Sequence, residues 1–128
     1  MNADLNFGFL QEDRLLNTIR EKFGSNFEKT VKNHPYDYTD GKTYIELKSR
    51  RCNHNSYKDT MIGYNKLRYA LGRPDNNFIF LFNFQDGIYQ HNFCPDKKYK
   101  IKTGGRKDRG RVELNDYAFI PITELTCL

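Results

Sequence analysis

Apolar and polar residues alternate along this chain with three different rhythms, and each rhythm predicts a different element. From Phe9 to Phe23 the spacing is helical: Phe9, Leu16, Ile19 and Phe23 share one face, which Leu15 broadens. Gly24-Ser25-Asn26 ends that helix in turn chemistry. Phe27 to Lys32 alternates loosely and predicts a first strand, broken by His34-Pro35. In the next stretch, PYDYTDGKTYIELKSRR (35–51), Asp40-Gly41 lies between two runs rich in Tyr, Thr and Ile. This predicts a hairpin with a two-residue loop. Ser56 and Asp59 form a capping-box-like start for a helix running to about Leu71, closed by Gly72 and Pro74. Its expected apolar face is Tyr57, Met61, Tyr64, Leu67 and Leu71. Asn77 opens a second β unit, FIFLFNF, then Gln85-Asp86-Gly87, then IYQHNF. A nearly continuous apolar run of this length predicts a central strand covered on both faces. Val112–Leu114 and Tyr117–Ile122 read as short strands, with Pro121 suggesting an edge.

The hairpin carries candidate chemistry. With a two-residue loop, Thr39 faces Lys42, Tyr38 faces Thr43, Asp37 faces Tyr44 and Pro35 faces Glu46. Strand alternation then puts Asp37, Tyr44, Glu46 and Lys48 on one side, and Tyr36, Tyr38, Thr43, Ile45 and Leu47 on the other. Asp37 and Glu46 become diagonal cross-strand neighbours, roughly 7–8 Å apart at the backbone. Their side chains can close that gap onto one cation. Two carboxylates offer hard oxygen ligands suited to magnesium, which completes its shell with water and substrate phosphate. Lys48 would add a positive charge for an attacking water or a phosphate. Alternating charge on a solvated sheet face produces the same Glu-x-Lys triplet without function, so the triplet alone leaves both readings open. On the preceding helix Glu12 fills the gap between Phe9 and Leu16 on the apolar seam, where a carboxylate is costly unless paired or metal-bound. Asp13, about 100° further round, faces solvent.

Composition narrows the class. A chain of 128 residues fits one domain, 1–128. Its 38% hydrophobic and 15% aromatic content fits a folded globule. No apolar run approaches membrane-spanning length and no signal-peptide pattern opens the chain, so a cytoplasmic, intracellular protein is expected. Three widely spaced cysteines do not form a disulfide framework. Cys52-x-His54 and His91-x-x-Cys94 do not match common zinc templates, and free thiols are the expectation. Abundant Asn, Lys, Tyr, Phe and Ile would suit an AT-rich genome such as that of a virus or mobile element.

Net charge is +5, and it is concentrated. From Lys97 to Arg111 the chain reads KKYKIKTGGRKDRGR, with eight Lys or Arg and one Asp. Three glycines there permit close backbone approach to a phosphodiester. Arg106, Lys107, Arg109 and Arg111 are candidate phosphate contacts, as are Arg50 and Arg51 just after the hairpin. A solvated basic surface is the plainer explanation of each group taken alone.

Asp37, eight intervening residues, then Glu46-Leu47-Lys48 after an N-terminal helix resembles the PD-(D/E)XK nuclease superfamily, over about residues 9–93. The family's opening Pro-Asp is met with a spacer, since Tyr36 separates Pro35 from Asp37. The resemblance implies an α/β, restriction-endonuclease-like core: a mixed β-sheet flanked by helices in α-β-β-β-α-β order. A basic C-terminal β extension would occupy about residues 94–128. It implies Mg2+, replaceable by Mn2+, on Asp37, Glu46, the Leu47 carbonyl and Glu12, with Lys48 assisting the water. Lys66 would match a helical residue that reaches the site or its nucleic acid in some relatives. The implied activity is endonucleolytic cleavage of DNA, duplex or branched, leaving a 5′-phosphate and a 3′-hydroxyl, with RNA left open. Relatives of this size, junction-resolving or homing endonucleases, act as homodimers or higher homo-oligomers. The alternative is a non-catalytic nucleic-acid-binding module on a nuclease-like fold.

Overall fold

The run FIFLFNF forms the strand on which the rest of the molecule is layered. A computed structural model describes residues 3–106 and 113–128, and gives side chains for 12–103 and 115–128. Helix α1 (Ala3–Phe23) leads into β1 (Glu28–Lys29), β2 (Tyr38–Thr39) and β3 (Thr43–Ser49). Then come β4 (Asp59–Gly63), α2 (Tyr64–Leu71), β5 (Asn77–Phe84) and β6 (Gly87–Asn92). The chain closes with β7 (Lys100–Arg106), β8 (Glu113–Pro121), a short 3-10 turn (Ile122–Glu124) and β9 (Thr126–Cys127). A mixed six-stranded sheet has the order β1-β2-β3-β5-β6-β9, and a three-stranded sheet the order β4-β8-β7. In the larger sheet β3 and β5 are parallel and the other pairs antiparallel.

Alternation along β5 divides the core. Phe78, Phe80, Phe82 and Phe84 pack with Leu67 and Ala70 of α2 and with Ile62, Ala118 and Ile120 of the smaller sheet. Leu81 faces the other way, joining Leu15 and Ile19 of α1 with Phe27, Tyr38, Ile45 and Leu47. The strand is therefore covered on both faces, as its unbroken apolar run requires.

The hairpin loop is longer than expected. Tyr38 pairs with Ile45 and Thr39 with Tyr44, so Asp40 to Thr43 form the loop. The Asp40 carboxylate accepts the Lys42 and Thr43 amides at 2.9 and 2.7 Å, and Gly41 takes φ 95°. This side-chain turn replaces the tight two-residue one. The register moves by two residues, which preserves the shared face of Tyr44, Glu46 and Lys48 but changes what stands opposite them. Strand alternation also breaks at Asp37. Tyr36 sits among the phenylalanines, 5.1 Å from the Phe78 ring, and not beside Tyr38 as a regular strand would have it.

The expected helix from Ser56 is half strand. Thr60 and Ile62 are buried between exposed Asp59 and Met61, a period of two. They pair with Ile120 and Ala118 of β8. Cross-strand packing of two β-branched residues outweighs the helical spacing read from Tyr57, Met61 and Leu71, all three of which are exposed. Likewise the Lys-rich start of the basic stretch is strand β7, paired along β8. Strand β8 is central to its sheet, so Pro121 marks a strand end and not an edge strand. The predicted first strand is reduced to Glu28–Lys29.

Candidate active site

Glu46 sits in the middle of β3 with 3% of its surface exposed. Burying a carboxylate this deeply is expensive without partners. Lys48, two residues on and on the same face, places Nζ 3.2 Å from Glu46 Oε1. Lys66, in the first turn of α2, places Nζ 3.7 Å from Oε2. That is an ion-pair distance but too long for a hydrogen bond, and Lys66 Nζ donates instead to the Pro35 carbonyl. Glu46 Oε2 is left with no hydrogen-bond partner among the described residues.

Asp37, the residue just before β2, flanks Glu46. Its amide donates to the Ile45 carbonyl at 2.9 Å, and its Oδ2 accepts the Leu47 amide at 2.8 Å. The side chain thus takes a place in the ladder where the β2–β3 backbone pairing stops. Tyr36, just before it, donates its hydroxyl to the Lys66 carbonyl at 2.6 Å, tying the start of α2 to the site. The break in alternation at Asp37 is what allows Tyr36 to reach α2.

Electrostatics follow from this packing. Burial, then the nearby Asp37 charge, pushes the Glu46 carboxyl up to about 7, with Lys48 and Lys66 opposing the rise. Glu12 is also raised, first by burial and then by Asp37, while Lys29 holds it down. Lys29 Nζ lies 3.5 Å from Glu12 Oε2 and 3.1 Å from Asp13 Oδ1. The Glu12 carbonyl accepts the Tyr38 hydroxyl at 2.6 Å, which fixes α1 against the hairpin. Glu12 and Asp37 line one open cleft together with Lys29, Lys32 and His34.

The donor set fits a hard divalent cation. Two carboxylates repel each other, one of them carries a buried oxygen without a partner, and both sit where a cation would relieve the cost. Among the described residues no three His, Cys, Asp or Glu side chains converge into a complete metal cage. A cation held by Asp37 and Glu46 would therefore complete its shell with backbone carbonyl, water or phosphate oxygens, as magnesium does.

Other sequence candidates are dispersed. Arg50 is half-buried and donates to the Met61 carbonyl, while Arg51 is exposed. Lys66 points inward at Glu46 and the Pro35 carbonyl. Arg106 ends β7, but its side chain, like all of Lys107, Arg109 and Arg111, lies outside the described residues. The zinc pairings dissolve: His54 Nδ1 meets Asp86 at 2.5 Å, and His91 is held by the Tyr99 hydroxyl and the Glu124 carbonyl. All three cysteines are free. The sequence reading missed the part played by Tyr36 and the Pro35 carbonyl in holding Lys66. No local signal marks them, because the contact spans about thirty residues. No helix among the described residues is long and apolar enough to cross a membrane.

A family model described as "Phage putative PDDEXK endonuclease" matches residues 11–127. No curated protein and no solved structure matches the chain.

Proposed function

The chain belongs to the phage PD-(D/E)XK endonuclease family, and on that premise we propose that it hydrolyses phosphodiester bonds in DNA, with Asp37, Glu46 and Lys48 at the reaction centre. One observation carries the reading. Among the described residues, a carboxylate buried in a β-strand keeps one oxygen without a hydrogen-bond partner, near a second carboxylate and two lysines. A buried carboxylate with an unsatisfied oxygen is costly, and a bound cation would relieve that cost.

Asp37 and Glu46 would hold Mg2+, with Mn2+ able to substitute; the Leu47 carbonyl is a further ligand candidate, and Glu12, which does not converge with the pair, would join only through water. When bound, the ion supplies a Lewis acid for the phosphoryl oxygen and lowers the pKa of a coordinated water. Lys48, with Nζ 3.2 Å from Glu46, acts electrostatically, orienting the nucleophilic water and offsetting charge that develops on the phosphate. Lys66 holds Glu46 in place from α2 and biases it toward its charged form. The products would be a 5′-phosphate and a 3′-hydroxyl. Cutting both strands of a duplex needs two such sites, so a homodimer or larger homo-oligomer is part of the proposal. The basic stretch ending in Arg106, Lys107, Arg109 and Arg111 would contribute phosphate contacts.

The decisive experiment is a cleavage panel of supercoiled plasmid, four-way junction, single-stranded DNA and RNA, with magnesium or EDTA. Each substrate is run beside a Glu46→Ala control. Magnesium-dependent cutting lost in the control supports the reading, and the preferred substrate names the class. Salt-sensitive binding with no cutting in magnesium or manganese would leave a nuclease-like binding module.

A further inference from the structure

The face of β3 that carries Glu46 and Lys48 continues past the end of the strand. The Arg50 amide donates to the Asn83 carbonyl at 2.9 Å, so the ladder with β5 runs one residue beyond Ser49. Arg50 therefore keeps the side of Glu46 and Lys48, roughly 7 Å along the strand from Lys48. It enters a concave pocket of about 280 Å³ that Phe84, Phe119, Tyr57, Asn53 and His54 also line. Phe84 belongs to the same apolar cluster as Phe80 and Phe82, which places the pocket on the α2 side of the sheet.

The pocket's chemistry is aromatic with a few fixed polar groups. Tyr57 is 69% exposed, a large ring left bare at the pocket. Phe119 and the largely buried Phe84 line the same pocket wall. The imidazole of His54 is locked: Nδ1 meets Asp86 Oδ2 at 2.5 Å, the His54 amide donates to Asp86 Oδ1 at 2.8 Å, and the ring stacks on Tyr89 at 4.5 Å. Asp86 fixes the proton on Nδ1 and leaves Nε2 as the ring atom available to a ligand. Arg50 is held in turn by the Met61 carbonyl. Aromatic surface with a few preset hydrogen-bonding groups is how proteins hold a nucleobase outside its stack.

From this continuity and chemistry we infer that the pocket binds one unstacked nucleobase of the substrate strand, next to the phosphate held at Glu46 and Lys48. The inference rests on the nuclease reading of that site. It makes the favoured substrate one with an unpaired or easily extruded nucleotide beside the cut, in preference to uninterrupted duplex. The volume suits a single base and lies just below the range of roughly 300–1,000 Å³ that accommodates drug-sized ligands.

The test uses single-stranded oligonucleotides with 2-aminopurine moved through successive positions, in deoxyribose and ribose versions, with EDTA and low salt. Stacking quenches the fluorescence of this base. The expected result is strong quenching at one position and little elsewhere, in whichever sugar series the pocket accepts. Tyr57→Ala should remove the position-specific signal and weaken binding about tenfold, while Tyr57→Phe should preserve both. Tyr57 is exposed, so neither change threatens the fold. Uniform quenching, a signal indifferent to Tyr57→Ala, or no binding of either strand overturns the inference. Magnesium-dependent cutting of the same strands is measured separately. Cutting without a position-specific signal removes the pocket and keeps the nuclease; a position-specific signal without cutting does the reverse.

Discussion

The Asp37 carboxylate accepts the Leu47 amide at 2.8 Å, so one proposed metal ligand is held by the backbone of the strand that carries the other. With the Asp37 amide also donating to the Ile45 carbonyl at 2.9 Å, two hydrogen bonds tie Asp37 to the residues on either side of Glu46. Rigid support of this kind is what a catalytic constellation needs to hold its geometry.

Two substitutions separate the structural from the chemical task of Asp37. Asp37→Asn retains an acceptor for the Leu47 amide and should leave stability nearly unchanged while losing magnesium-dependent cutting. Asp37→Ala should lose cutting and also about 1–3 kcal/mol of stability, because a partly buried amide loses its partner. Urea denaturation beside the cleavage assay distinguishes them. Equal destabilisation by both variants would mean that the hydrogen bond is not the structural link.

The raised carboxyl of Glu46 has a signed consequence for stability. Its pKa is about 7 in the fold against 4.5 in a model peptide, so between those values the folded state binds more protons than the unfolded one. Stability should therefore fall as pH rises from about 4.5 to 7 in EDTA, by an amount on the order of 3 kcal/mol. Glu46→Gln should flatten this dependence. Magnesium, which needs the ionised carboxylate, should raise the melting temperature more at pH 8 than at pH 5. A wild-type profile parallel to that of Glu46→Gln would contradict the burial-driven shift.

Lys48 and Lys66 both face Glu46 but should fail differently. Lys48, with its side chain 36% exposed, should be dispensable for folding. Lys48→Ala should cut activity at least about a hundredfold while binding stays nearly intact. Lys66→Met removes a charge that opposes the rise of Glu46, so the pH at which magnesium stabilisation develops should move upward. Thermal shift against magnesium across pH 6 to 8.5 reads this directly. An unchanged midpoint would assign Lys66 to packing alone.

Salt dependence tests the basic stretch. Each phosphate neutralised contributes a slope of about 0.9 in log K against log salt on duplex DNA. Replacing Arg106, Lys107, Arg109 and Arg111 together by Ala should flatten the slope by up to about 3 to 4 units if all four contact phosphates. Cleavage at low salt should largely survive. A slope that does not change would move the DNA track elsewhere, for instance to Lys29 and Lys32 beside the cleft.

The sequence by itself determined the elements whose patterns are decided locally. The helix bearing Leu15, Leu16, Ile19 and Phe23 exists because its apolar stripe recurs at helical spacing. The strand Asn77–Phe84 is central because an unbroken apolar run can be stable only when covered on both faces. The shared face of Glu46 and Lys48 follows from strand alternation, and a two-residue change of register leaves it intact. Tertiary structure decided what depends on distant partners. Asp59–Gly63 is a strand because Thr60 and Ile62 meet Ile120 and Ala118, residues too remote for any local pattern to announce. The hairpin loop widened because the Asp40 carboxylate captured two amides. Alternation broke at Asp37, sending Tyr36 to α2 and bringing Lys66 to Glu46. The local code names which residues can be ligands, and only the packing of α2 against the sheet decides which charges surround them, since burial sets their cost.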